Sequence, residues 1–259
     1  MILTVFIQPE RSYKTMRLKD KVAIVTGAAI GIGYAAAELF LEEGARVAIC
    51  DINAEKIAEA AKELSAKGEV RGYACDVSNK EQVDAVVEQI GKDFGRIDIL
   101  INNAGIVKDA QFYKMSAEQF DAVINVNLRG NFNMTKAVVP FMMEQKYGKI
   151  VHVSSVSGFN GNFGQTNYAA SKAAIMGMTR VQGKELGKYG ITVNAICPGS
   201  IETPMYAAVP PEARAKKLAA IPLRRYGTPR EAAKAYLFLA SDDSSYMTAQ
   251  TMVVDDGFN

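Results

Sequence analysis

A doubly wound α/β domain is the fold that this sequence predicts, and three observations predict it. From residue 21 onward, short β-branched apolar runs alternate with longer helical stretches. The runs are apolar along their length instead of alternating with polar residues, as strands covered on both faces are. A glycine-rich turn, TGAAIGIG, joins the first run to the first helical stretch. Alternation of this kind builds a single Rossmann-type domain with a parallel sheet and helices on both faces.

The elements follow in order. KVAIVTG is a buried strand, and GIGYAAAELFLEEG a helix ending at Gly44. ARVAICD is the second strand, followed by a helix from Asn53 to about Ser65. EVRGYACD leads into SNKEQVDAVVEQIGKDFG, where Ser78 and Glu81 fit a capping box. IDILINNAG, GKIVHVSS, ITVNAICPG and TMVVDDG bring the sheet to about seven strands, with helical segments near 117–145, 166–189 and 229–240. The last helix has Thr228 as N-cap, Pro229 in its first turn and Glu231 to complete the box. Residues 1–17 read as an N-terminal extension ahead of a domain over 18–259.

Composition narrows the function. Of 259 residues, 49% are hydrophobic and 22% charged, enough for a large core without metals or disulfides. The net charge is +2, with 30 basic and 28 acidic residues intermixed, so neither a nucleic-acid track nor an acidic arm stands out. That balance points to a small-molecule partner, not to nucleic acid or a membrane. Cys50, Cys75 and Cys197 sit in apolar runs and read as buried reduced thiols; no metal site is expected. The sole histidine, His152, reads as a packed strand residue. The opening MILTVFIQPERSYKT lacks a basic n-region and is too short to span a bilayer, so a cytoplasmic enzyme is expected.

The glycine turn carries the first chemistry. Gly27, Gly31 and Gly33, with Ile30 and Ile32 between them, allow close backbone approach to a pyrophosphate at a helix N-terminus. Asp51 ends the second strand eighteen residues after Gly33, with Ile52 next to it. A carboxylate there accepts both ribose hydroxyls and repels a 2′-phosphate. Arg46 lies at the far end of that strand and Ile30 brings no charge, so NAD is expected over NADP. The competing reading is that Asp51 caps the turn after it.

Tyr168 and Lys172 stand four apart in NYAASKAAIMGMTR, on one face of a helix. Tyrosine ionises near 10, too high for a base at neutrality, and bringing it to about 7 takes about 4 kcal/mol. A neighbouring ammonium supplies stabilisation of that sign, so Lys172, together with a nicotinium ring in a site closed to bulk water, is expected to lower the Tyr168 pKa.

TGAAIGIG, CDV, NNAG, NVNLRG, VSSVSG, YAASK and CPGSIETPM occur in the order in which they stand in the short-chain dehydrogenase/reductase family. The chain resembles that family over about residues 18–257, and most resembles the group around 3-oxoacyl-acyl-carrier-protein reductases and bacterial alcohol or hydroxysteroid dehydrogenases. The resemblance implies Tyr168 as general acid/base, Lys172 as its partner and ribose ligand, Ser155 as the serine that orients the carbonyl, and Asn127 as holder of a lysine-linked water. It implies dinucleotide contacts from Asp76 and Val77, from Asn103, Ala104 and Gly105, and from Pro198, Gly199, Ile201 and Thr203. It also implies a substrate lid near 200–228 and a homotetramer.

Phe159, Phe163, Gln165, Met205 and Tyr206, with Ser155 and Tyr168, are the expected substrate-binding residues, although the lid aromatics can equally pack on one another. The expected activity is NAD-dependent interconversion of a secondary alcohol and a ketone: a steroid, a polyol or a small hydroxy compound. The alternative is a 3-oxoacyl-acyl-carrier-protein reductase using NADPH, which Asp51 opposes and the basic Arg129, ARAKK and LRR stretches allow. A non-enzymatic dinucleotide sensor is the third reading, opposed by the survival of all four candidate catalytic residues.

Overall fold

The computed structural model describes residues 16–207 and 211–257. Its framework is a seven-stranded, wholly parallel sheet in the order β3-β2-β1-β4-β5-β6-β7. The strands are β1 (Val22–Thr26), β2 (Arg46–Asp51), β3 (Val70–Ala74), β4 (Ile99–Asn102), β5 (Gly148–Val153), β6 (Ile191–Pro198) and β7 (Thr251–Val254). The first three strands run outward from the centre, and the chain then crosses back to lay β4 on the other side of β1. That reversal opens a crevice at the carboxyl ends of β1 and β4, the place where open α/β sheets hold ligands.

Side chains alternate across each strand, so every strand feeds two cores. Ala23 and Val25 of β1, with Val47 and Ile49 of β2, face α1 (Gly31–Glu42), α2 (Ala54–Leu64) and α10 (Pro229–Ala240). Val22 and Ile24 turn the other way, toward α3 (Lys80–Phe94) and α5 (Gly130–Gln145). Both faces are covered, which is why the strands read as continuous apolar runs. Asp98, fully buried, accepts from the Val22 amide at 2.9 Å and pairs with Arg96, tying the start of β1 to β4.

Helix signals are mostly read correctly. α10 starts on the Thr228–Glu231 capping box with Pro229 in its first turn. One cap is displaced: α3 is capped by Asn79, whose Oδ1 accepts from Gln82 N at 2.9 Å, and not by Ser78. The Ser78 hydroxyl instead donates to Asp76, two residues back, which accepts its amide as well. The expected helix over 117–145 is broken into α4 (Ala117–Val123), a π-helical turn (Ile124–Arg129) and α5. After β5 come α6 (Ser157–Asn160) and α7 (Thr166–Leu186); after β6 come α8 (Pro204–Ala207) and α9 (Pro211–Ala220).

Most of the expected N-terminal extension lies outside the described residues. Its last residues dock on the domain, where Arg17 pairs with Glu43 at 3.0 Å, and Leu18, the first residue of the domain, is buried. Cys50, Cys75 and Cys197 are buried free thiols. Among the described residues, no helix is long and apolar enough to cross a membrane.

Candidate active site

The glycine loop is built by close approach. Gly27 has φ +62°, and a Cβ there would lie 2.8 Å from Ala104 Cα. A Cβ on Gly33 would lie 2.3 Å from the Gly27 carbonyl oxygen, so neither position admits a side chain without displacing backbone. Asn103 braces the loop from β4, donating Nδ2 to the carbonyls of Thr26 at 2.9 Å and Gly27 at 3.1 Å. The Thr26 hydroxyl accepts the amides of Asn103 and Ala104, each at 3.0 Å. Tyr236, from α10, completes the brace by donating its hydroxyl to Asn103 Oδ1. Sequence reasoning gave no role to Thr26, although it opens the TGAAIGIG turn, nor to Tyr236, which lacks any motif of its own.

The N-cap position of α1 is Ile30, which offers no side-chain cap, and the first turn holds no acid. Its first amides are therefore open to an anion. Asp51 lies beside this opening and accepts from the amides of Ala29 at 3.4 Å and Asn53 at 3.1 Å, so it does support its own turn. Ile52 is exposed next to it. The cradle, the bare helix end and the carboxylate at the strand tip together fit the diphosphate and adenosine ribose of a dinucleotide.

In the turn after β3, where an adenine contact is expected, Asp76 is held by Ser78, and Val77 is buried against Gly130. Across the crevice, Pro198 accepts from the Val156 amide at 3.3 Å, and Gly199 packs against Asp255 too closely to carry a Cβ. Ile201 bridges to Gly227, and Thr203 stands over the loop, with its Cγ2 3.8 Å from the Cβ position of Gly31. These residues, remote in sequence, form two sides of one crevice.

Ser155, Tyr168, Lys172 and Asn127 meet at its inner end. Tyr168 is hydrogen-bonded to Ser155. Lys172 is buried and donates Nζ to the Val153 carbonyl at 2.7 Å, with its ammonium 5.4 Å from the centre of the Tyr168 ring. Asn127 lies in the π-helical turn and clamps the Ile106 peptide, accepting its amide at 2.8 Å and donating to its carbonyl at 3.1 Å. A Cβ on Gly105 would lie 3.3 Å from Asn127 Oδ1 and 3.6 Å from Lys172 Nζ, so both groups border the same point. Ser154 fixes the helix by donating to the Lys172 carbonyl at 2.7 Å, a contact that no motif announces.

Burial dominates the electrostatics of this cluster. Burial pushes the Tyr168 hydroxyl up to about 12, with the Ser155 hydrogen bond working against it and the Asp109 carboxylate adding to it. Burial pushes the Lys172 ammonium down to about 8. In the protein's own side chains, desolvation is the largest influence on both groups. Tyr168 is held as an acid, ready to give a proton.

The expected substrate wall is divided. Gln165 donates to Asp109 at 3.0 Å and joins the loop after β4 to the loop before α7. Phe159 and Phe163 lie on the outer rim, Phe163 88% exposed, so they enclose nothing on their own. Tyr206 packs edge-on against Tyr226 with ring centres 4.9 Å apart, so this lid aromatic packs on the lid itself. The side chain of Met205 lies outside the described residues.

The comparisons agree with this geometry. A family model described as enoyl-(acyl carrier protein) reductase matches residues 27–259. The chain is 51% identical to the 3-oxoacyl-(acyl-carrier-protein) reductase FabG of Thermotoga maritima, over 93% of this chain and 99% of that protein. It is 44% identical to the hydroxy(phenyl)methylsuccinyl-CoA dehydrogenase subunit BbsD of Thauera aromatica, over 93% of this chain and 98% of that one. The crystal structure of levodione reductase superposes with a TM-score of 0.89 at 37% identity, covering 93% of this chain and 98% of that one. With its glycine crevice, its Ser–Tyr–Lys cluster and full-length likeness to these enzymes, the chain belongs to the short-chain dehydrogenase/reductase family of oxidoreductases that act on CH–OH groups.

Proposed function

We propose that this protein interconverts a 3-oxoacyl thioester and the corresponding 3-hydroxyacyl thioester, with NAD(H) as its dinucleotide. The observation that carries the substrate class is the 51% identity, over nearly the whole chain, to a 3-oxoacyl-(acyl-carrier-protein) reductase. A second relative named for an acyl-CoA substrate points to the same thioester chemistry. This favours the carrier-protein alternative over the steroid or polyol reading. Asp51 supports the dinucleotide choice, since a carboxylate at the tip of β2 repels a 2′-phosphate.

When bound, the dinucleotide supplies the hydride in reduction and accepts it in oxidation. The chain's own residues manage the oxygen. Ser155 hydrogen-bonds the substrate carbonyl, and Tyr168 donates its phenolic proton to that oxygen as charge develops there. Lys172 keeps positive charge beside the tyrosine as it becomes tyrosinate and offers a donor to the nicotinamide ribose. Asn127 holds the Ile106 peptide and so fixes the floor beside that lysine.

For assembly, the proposal is a homotetramer, supported by the family resemblance and by Phe132 of α5 and Val181 of α7, which are 48% and 55% exposed. Light scattering on the purified protein tests it. The function is tested by titrating acetoacetyl-CoA against NADH and NADPH and following dinucleotide absorbance. Turnover preferring NADH by about tenfold or more is expected. Inactivity on thioesters beside good rates on cyclic ketones would return the assignment to the broader alcohol reading.

A further inference from the structure

The chain's sole histidine lies behind the candidate catalytic residues, in a buried polar network that the proposed chemistry does not use. His152 of β5 places Nδ1 at 3.1 Å from both Asn131 Oδ1 and Asn102 Nδ2, and Nε2 at 2.8 Å from Gln182 Oε1. Asn131, one helical turn beyond Asn127, donates Nδ2 to the Asn127 carbonyl at 2.7 Å. His152, Asn131, Asn127 and Asn102 are all buried.

The direction of the network can be deduced from its one fixed end. A peptide carbonyl only accepts, so Asn131 must turn its NH2 toward Asn127 and its oxygen toward His152. That oxygen needs a donor, and the only hydrogen His152 can offer it is on Nδ1. A neutral imidazole carries one N–H, so Nε2 is then an acceptor. Gln182 meets it by presenting its amide nitrogen, which is a half-turn of that side chain. Asn102 can turn likewise, because its other neighbour, the Thr135 hydroxyl at 3.0 Å, both donates and accepts. The opposite tautomer would leave Asn131 Oδ1 facing a lone pair inside the core.

We propose that His152, as the Nδ1–H tautomer, is a positioning residue that through Asn131 sets the Asn127 carbonyl and so the π-helical turn beside Lys172. A π turn departs from the regular helical ladder, and here the Asn131 side chain holds the Asn127 carbonyl. Asn127 cannot clamp the Ile106 peptide unless its own backbone is fixed. The inference rests on the hydride-transfer reading of the site, but not on the thioester substrate.

The test uses the whole enzyme. With 15N-histidine labelling, the single imidazole is expected to show the Nδ1–H pattern, and an Nε2–H pattern would overturn the proposal. This reading needs no substrate, so it stands apart from any failure of the thioester assignment. In the activity arm, run on whichever ketone the wild type reduces, His152→Phe is expected to lower kcat by about tenfold while NADH affinity stays within about twofold. His152→Asn, whose amide can place an N–H at the Nδ1 position, is expected to recover kcat to within about threefold of wild type. Wild-type kcat in His152→Phe, or equal losses in both variants at equal folded fraction, would show that the histidine only packs.

Discussion

The Lys172 ammonium donates to the Val153 carbonyl at 2.7 Å, so the catalytic helix is tied to the end of β5 by its own candidate catalytic lysine. The same burial that makes this bond strong lowers the lysine's pKa to about 8, while Tyr168 is pushed up to about 12. In the reducing direction the proton donor thus stays loaded across the neutral range, and the first group to change charge on raising the pH is Lys172. Its ammonium is mostly present below its pKa and is lost above it. A pH–rate profile for ketone reduction should be level near pH 7 and fall with an apparent pKa of about 8. A profile that stays level well past that value would separate the lysine's charge from the rate.

Tyr168→Phe removes the hydroxyl that Ser155 contacts and leaves the ring in place. The expected loss in kcat is about a thousandfold, the range of a general acid, with NADH affinity changed by no more than about twofold. Fluorescence titration alongside steady-state rates separates the two quantities. A variant retaining most of its rate would take the proton transfer away from this residue.

Asp51 holds its turn and is proposed to meet the adenosine ribose, so its replacement acts on two measurable quantities. Asp51→Ala should narrow the NADH-over-NADPH preference by about tenfold, mainly through weaker NADH binding. Thermal stability should fall by about 1 kcal/mol through the lost bonds to Ala29 and Asn53. Binding titrations with each dinucleotide decide whether the carboxylate selects or only braces.

Gly105→Ala tests the lysine–asparagine geometry without altering either residue. The added methyl would stand 3.3 Å from Asn127 Oδ1 and 3.6 Å from Lys172 Nζ, a fit that is tight but not prohibitive. Stability should change by about 1 kcal/mol or less, while kcat drops by about tenfold because a small displacement in a catalytic cluster is costly. An unchanged rate would mean that this point can shift freely.

His152 also makes a prediction for acid stability. Burial lowers its pKa from 6.5 to about 4, so the unfolded chain binds a proton that the native one refuses. Its contribution is fully present above the unfolded pKa and is lost as the pH falls from there to the folded value, about 3 kcal/mol in all. Comparing melting at neutral pH and at about pH 5, His152→Asn should lose less stability on acidification than wild type by about 2 kcal/mol. Parallel melting curves would place the acid sensitivity elsewhere.

Much of this molecule was legible in its sequence because the signals were local. Covered strands leave apolar runs, the α10 start has its cap and proline in adjacent positions, and the glycine loop is spelled by its spacing. Ser155, Tyr168, Lys172 and Asn127 could be placed together through the family resemblance. What escaped depends on partners distant along the chain. INVNLR has the composition of an ordinary helix, and its π turn accompanies Asn127's bonds to Ile106, 21 residues earlier. Ser78 lost its cap to Asn79 because Asp76 had already engaged its hydroxyl. Helical spacing shows the charge next to Tyr168 but not the depth of burial that raises its pKa.

The brace on the glycine loop has a consequence for how the chain acquires function as it is made. Asn103 is synthesised 77 residues after Thr26, whose carbonyl it holds. Strands β1, β2 and β3 can pair with one another before β4 emerges, since they are neighbours in the sheet. A nascent chain at that stage would carry the loop's glycines but lack the amide that holds them in place. Dinucleotide then has no finished cradle to stabilise in the early half, and ligand present during synthesis can reward only chains that have already brought β4 home.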